Sequence, residues 1–102
     1  MGKLYKAIEH MHEELEGAHD YAEMAILLKH EDRPFADKLI RASEDELRHA
    51  VMFHDRAAHL LEECKRSNPD RAEMYEDLME HEHRKEIHMM EKIRTLHSEY
   101  AR

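Results

Sequence analysis

The sequence has few residues that bend or cross-link a chain. Of 102 residues only two are Gly, two are Pro and one is Cys, and there is no Trp. So few turn formers exclude a sheet of short strands and favour long helices, in one all-α domain over residues 1–102. The lone thiol, Cys64, cannot close an intramolecular disulfide and excludes a cysteine-rich zinc or iron–sulfur site. It suits a reducing, cytoplasmic setting. No apolar run is long enough for a bilayer, and the N-terminal stretch lacks a signal-peptide core, so no membrane association is expected. Basic residues are also outnumbered, 16 against 24 acidic, for a formal net charge of −8. That disfavours a nucleic-acid partner, because phosphate binding needs clustered Lys and Arg. It leaves either a merely solvated acidic surface or one that draws in cations.

Charge and histidine are abundant. Charged residues make up 39% of the chain and there are 11 His, dispersed rather than grouped as in an affinity tag. Histidine-rich short chains raise the expectation of metal binding, and position along the helices has to decide it. Apolar residues recur at helical spacing throughout, which argues against disorder.

Two breaks punctuate the helical pattern. The first is Glu31-Asp32-Arg33-Pro34 and the second Ser67-Asn68-Pro69-Asp70, where Asn68 reads as an N-cap and Pro69 as the first helical residue. They divide the chain into helix 1 at about 3–30, helix 2 at about 34–66 and helix 3 at about 69–100. Links this short make neighbouring helices antiparallel. Gly17 lies inside helix 1, where it should cost about 1 kcal/mol relative to Ala.

Helix 2 carries the clearest signal. Stepping by fours and threes gives Phe35, Leu39, Ala42, Glu46, His49, Phe53, Ala57, Leu60 and Cys64. This core-facing seam is apolar except at its middle, where Glu46 and His49 stand at i, i+3 on one face. Burying an unpartnered carboxylate costs several kcal/mol or forces protonation, and a metal ion removes that penalty. Two other arrangements fit the same pattern: a buried Glu–His hydrogen-bonded pair, or a register in which Glu46 faces water and Leu47 and Ala50 carry the seam. Helix 1 repeats the motif, with Ala7, Met11, Glu14, Ala18, Tyr21, Ala25 and Leu28 interrupted only by Glu14. A second series, Leu4, Ile8, Leu15, Ala22 and Ile26, widens that apolar face. Glu16 is a weaker candidate ligand, because His19 follows it at i+3. Whether Glu14 or Glu16 is the helix 1 ligand stays open here.

Antiparallel pairing sets the depth at which Glu14 stands. It lies about 16 residues, or about 24 Å, before the first turn; Glu46 and His49 lie about 18 and 22 Å after it. An antiparallel hairpin therefore brings all three to nearly one level. On helix 3 the seam is Tyr75, Leu78, Glu82, Glu86, Met89, Ile93, Leu96 and Tyr100, with Glu82 and Glu86 central. Most of the charge from His81 to Lys85 reads as solvated, Glu82 and Glu86 are weaker metal candidates, and the Glu80–His83 pair lies off the seam.

Together these residues resemble ferritin-like di-iron proteins, which place a Glu on one helix and Glu-x-x-His on its neighbour, twice over, around a metal pair. Glu46-Leu47-Arg48-His49 matches Glu-x-x-His, and Glu14 matches the first glutamate. Tyr21, seven residues on, resembles the tyrosine that follows that glutamate in rubrerythrin and bacterioferritin relatives. The stretch Glu13–Tyr21 is similar to the corresponding part of encapsulated ferritins, short hairpins that build a four-helix site from two subunits. The resemblance covers roughly residues 4–66.

It implies a homodimer or higher homo-oligomer in which two helix 1–2 hairpins form a ferritin-like four-helix bundle. Glu14 and His49 would be terminal ligands, Glu46 the bridge, and Tyr21 a neighbour within electron-transfer range. The implied cofactor is di-iron, with manganese or zinc also suited to such donors, and the implied activity is a ferroxidase oxidising Fe(II) with oxygen or peroxide. The chain departs from the pattern in having three helices, no second Glu-x-x-His on the helix 3 seam and no rubredoxin-type cysteine module. Its C-terminal His97–Arg102 does not resemble an apolar encapsulin-targeting tail, so an encapsulin shell is not expected. The rival expectations are a non-catalytic metal-binding or buffering protein and a metal-free helical interaction protein. In the second, Glu14, Glu46 and His49 would only fix helix register. Most of the 8 Met read as core filler rather than ligands.

Overall fold

A computed structural model describes residues 2–102 and consists of three helices, α1 (Gly2–Leu28), α2 (Arg33–Ser67) and α3 (Pro69–Ala101). Both breaks fall where the sequence places them. At the first, Glu31 and Asp32 turn back onto the Leu28 carbonyl, ending α1 two residues before the expected limit. Asp32 then caps α2, its side chain accepting from the Phe35 N–H at 3.2 Å, and Pro34 sits in the first turn where its missing N–H costs nothing. Asn68 caps α3 in the same way, accepting from the Arg71 N–H at 3.2 Å.

Side-chain pairs fix the directions. Glu14 meets His49 and His10 stacks on Phe53, so α1 and α2 form an antiparallel hairpin. Tyr5 meets Tyr75 and His12 meets Glu82, so α3 runs parallel to α1. Ser43 meets His97 and Asp37 meets Tyr100, so α3 is antiparallel to α2. The result is a rod of 55 × 18 × 14 Å. No helix among the described residues is long and apolar enough to cross a membrane.

The hairpin interface is the larger one, and it is close because it is lined by alanine: Ala7, Ala18, Ala22 and Ala25 on α1, and Ala36, Ala50 and Ala57 on α2, all buried. Larger side chains fill the space between hairpin and α3. Leu4, Met11 and Ile93 are fully buried there, each contributing about 1.5–3 kcal/mol by leaving water. The α3 seam lies inward as expected, with Tyr75, Glu86, Ile93 and Tyr100 buried and Leu78, Glu82, Met89 and Leu96 partly so.

Helix α2 is rotated relative to its expected seam. Its buried stripe runs through Ala36, Leu39, Ser43, Ala50, Ala57, Leu60, Leu61 and Cys64. Phe35 is 46% exposed, and Glu46 and His49 fall on the rim of the stripe rather than at its centre. The reason is that α2 touches two helices on different faces, so its buried arc is centred between them. Ser43, fully buried, is the polar residue at that centre. Its Oγ donates to the Ala18 carbonyl at 2.5 Å and, with its hydrogen so used, accepts from His97 Nε2 at 2.7 Å. This joint pins all three helices at one level. Burial lowers the His97 pKa, keeping the ring neutral and suited to that role.

Candidate metal centre

Four residues from the Ser43 joint along the hairpin, the alanine-lined contact opens onto a polar site. His49 Nδ1 lies 3.5 Å from Glu14 Oε2 and 3.9 Å from Glu46 Oε1. Donor atoms of Glu14, Glu46 and His49 all fall within 4.8 Å of one another. The axial levels counted from the sequence therefore meet in space, and Glu14, not the exposed Glu16, is the helix 1 member. The two carboxylates are mostly covered, with side chains 22% and 27% exposed, whereas His49 is 51% exposed. The site is covered from below and open above. Clefts between the hairpin and α3 are lined by Met11, His12 and Leu15 of α1 and by Ala50, Val51 and His54 of α2, and the three site residues are not among them.

Gly17 makes the geometry possible. A Cβ at that position would stand 2.9 Å from Glu46 Oε2, so the bare glycine leaves the notch into which the Glu46 carboxylate settles. One turn to the other side, His10 and Phe53 stack with ring centroids 5.0 Å apart and wall off that end. The electrostatics follow from crowding two acids. The Glu46 carboxyl is pushed up from 4.5 to about 7, first by a hydrogen bond shared with Glu14, then by burial and by Glu14's like charge, with His49 opposing. Glu14 Oε2 is itself buried without a hydrogen-bond partner. A divalent cation answers both conditions, since it takes the place of the shared proton and gives the orphaned oxygen a partner.

The other candidates fall elsewhere. Tyr21 is 39% exposed, two turns along α1 from Glu14, and among the described residues makes no hydrogen bond to the site. His19 turns to Asp20 and Glu23, at 3.4 and 3.2 Å, rather than to Glu16. Glu80 pairs with Arg84 at 3.0 Å, leaving His83 to face Glu86. Glu82 pairs with His12, and Glu86 is buried inside the bundle, its pKa raised by that burial. Ser43, the Gly17 notch and the His10–Phe53 stack were missed in the sequence. Two of them had a visible signal: Gly17, the glycine inside helix 1 that permits a close approach, and Ser43, the one hydroxyl between Leu39 and Leu47 on the apolar stripe.

Compared with protein-family models, curated proteins and solved structures, the chain matches none.

Two outcomes follow from this geometry. Because Glu46 holds its proton more tightly folded than unfolded, its charge penalises the metal-free fold. That penalty is absent below pH 4.5, grows between 4.5 and about 7, and is complete above. Urea unfolding of the metal-free protein should accordingly show Glu46→Gln gaining stability over the parent across that window and holding the gain at higher pH; a difference independent of pH would contradict the shared proton. Gly17→Ala should add up to about 1 kcal/mol of helix stability without metal. By displacing the Glu46 carboxylate it should also weaken Zn(II) or Mn(II) binding about tenfold or more, read by calorimetry.

Proposed function

We propose that two copies of this chain join hairpin to hairpin into a ferritin-like four-helix bundle, and that the bundle is a ferroxidase acting on Fe(II). The observation that carries this reading is the half-site itself: Glu14, Glu46 and His49 with converging donor atoms, covered beneath and open on one side. Three donors are too few for a carboxylate-bridged metal pair, and a two-fold mate supplies two Glu14, two Glu46 and two His49. The surface around the opening suits such a mate. Tyr21 and Phe35, on the same helical series as Glu14 and as Glu46 and His49, are 39% and 46% exposed. Hydrophobic side chains left in water at these positions gain by being covered.

The donors fit hard and borderline divalent ions, with iron preferred by the resemblance and manganese or zinc compatible with the same set. A bound metal pair supplies redox chemistry, passing two electrons to oxygen or peroxide. With peroxide, two Fe(II) and two protons yield two Fe(III) and two waters; with oxygen, two Fe(II) and two protons yield two Fe(III) and one hydrogen peroxide. The chain's own part is positional. Glu46, seated in the Gly17 notch, would bridge, Glu14 and His49 would hold the outer positions, and the proton shared between the Glu14 and Glu46 carboxyls would leave as the substrate ion enters. The exposed acids Glu13, Glu16 and Asp20 raise the local concentration of cations at the opening.

A second reading, metal buffering without turnover, is favoured by two further groups able to hold an ion, His19–Asp20–Glu23 and His54–His83–Glu86. A metal-free register device fits less well, because a polar network that fixes register is buried and His49 is half exposed.

Anaerobic Fe(II) titration followed by oxygen separates these. The ferroxidase reading expects a sedimenting dimer, about two Fe(II) bound at the shared site per dimer and prompt oxidation. Glu46→Ala and His49→Ala should each lower the oxidation rate by about a hundredfold or more. Binding without faster oxidation than free Fe(II) would leave the buffer, and iron uptake indifferent to both substitutions would end the proposal.

A further inference from the structure

The hairpin site leaves unexplained the carboxylate buried most deeply in the molecule. Glu86 of α3 is only 4% exposed, and its Oε1 has no hydrogen-bond partner. An ionised carboxylate in that position costs several kcal/mol unless something neutralises it. Its surroundings are not those of a simple ion pair. No Lys or Arg forms a salt bridge with it among the described residues; the imidazoles of His54, His83 and His12 face it, with the Glu82 carboxylate one turn away. His83 Nδ1 stands 4.0 Å from Glu86 Oε2. His54 of α2 reaches across, its ring centroid 5.5 Å from that of His83. One donor atom from each of His54, His83 and Glu86 lies within 4.8 Å of the other two.

We propose that His54, His83 and Glu86 form a second metal site, internal to one chain, for a single borderline divalent ion such as Zn(II), Co(II) or Fe(II). Two imidazoles and one carboxylate are the donor set such ions prefer, with further coordination positions left open. Tetrahedral zinc, with bonds of about 2.0–2.1 Å, needs donors about 3.3 Å apart. The remaining distance would have to be closed by rotation of His54 and His83, which are 34% and 52% exposed. Beside the three donors lies a cleft of about 170 Å³ with Met11, Leu15, Ala50, Val51, Ile87 and Met90 in its walls. Those walls are largely apolar, and Glu86, 4% exposed, lies among them. They also shape the space onto which an open coordination position would face.

The site has a structural consequence distinct from the hairpin chemistry. His54 belongs to α2, and His83 and Glu86 to α3, so an ion held by all three ties α3 to the hairpin at mid-length. That is where α3 is most polar. The neighbouring His12–Glu82 contact, at 2.6 Å, joins α3 to α1 at the same level but is not aligned as a hydrogen bond. Binding there should therefore be coupled to the docking of α3. None of this depends on the ferroxidase reading.

The test uses Co(II), whose visible absorption reports nitrogen and oxygen ligation, in a Glu46→Ala/His49→Ala background that silences the hairpin site. One Co(II) per chain should still bind with a ligand-field spectrum, and hydrogen exchange of amides 78–90 should slow on binding. Adding Glu86→Gln, which keeps the shape and removes the charge, should abolish both effects; His54→Ala, at a less buried position, should abolish them while leaving the helical circular dichroism unchanged. Co(II) stoichiometry and spectrum unaltered by either substitution, or no binding in the background variant, would overturn the proposal.

Discussion

Glu14 and Glu46 bring two negative charges to one point on a helical hairpin, and the contact that brings them there does not let them separate. Alanines on both helices set the close approach of α1 and α2. Gly17 supplies the notch without which Glu46 would be pushed out of line. Crowded like charges must share a proton, move apart or accept a cation, and the crowding pushes the Glu46 carboxyl up to about 7. The site is thus poised between proton and metal near neutrality. The half-exposed histidine beside the pair opposes protonation of Glu46 and would add a third donor atom to a cation.

The same conflict recurs inside the bundle with a different resolution. Glu86 has no second acid crowding it as closely, yet it is farther from water than either hairpin glutamate. Histidines rather than lysines or arginines surround it. Helix α3 is held at one end by the Ser43–His97 joint and the Tyr100–Asp37 hydrogen bond, and at the other by the Tyr5–Tyr75 edge contact. Its middle is left to polar groups. A helix fixed at its ends and unsettled at its centre is a natural place for a ligand to act on the fold.

Much of this was legible in the sequence, and what was not has identifiable causes. The two Pro-containing breaks located the helices to within two residues, because proline and the Asx caps act locally. The α3 seam was read correctly, since the buried Tyr75, Glu86, Ile93 and Tyr100 all belong to its one apolar series. The meeting of Glu14 with Glu46 and His49 followed from counting residues along antiparallel helices, which depends only on helical rise. The rotation of α2 was legible only as an alternative register with Leu47 and Ala50 on the seam: with two partners its buried arc is centred on Ser43 and Ala50, and a single seam through Phe35 and His49 misplaces it. The His54–His83–Glu86 group was hidden for a related reason. Its members come from different helices and only Glu86 interrupts an apolar series, so no spacing rule joins them.

The account stands or falls on whether cations occupy the point where the hairpin acids converge. Crystals grown with Fe(II) under anaerobic conditions and measured on both sides of the iron absorption edge would test this directly. The prediction is a pair of iron peaks related by a two-fold axis, each within bonding distance of Glu14, Glu46 and His49 side chains drawn from two chains. Iron found only at exposed surface histidines, with the Glu14–Glu46 contact unchanged from the metal-free protein, would contradict it.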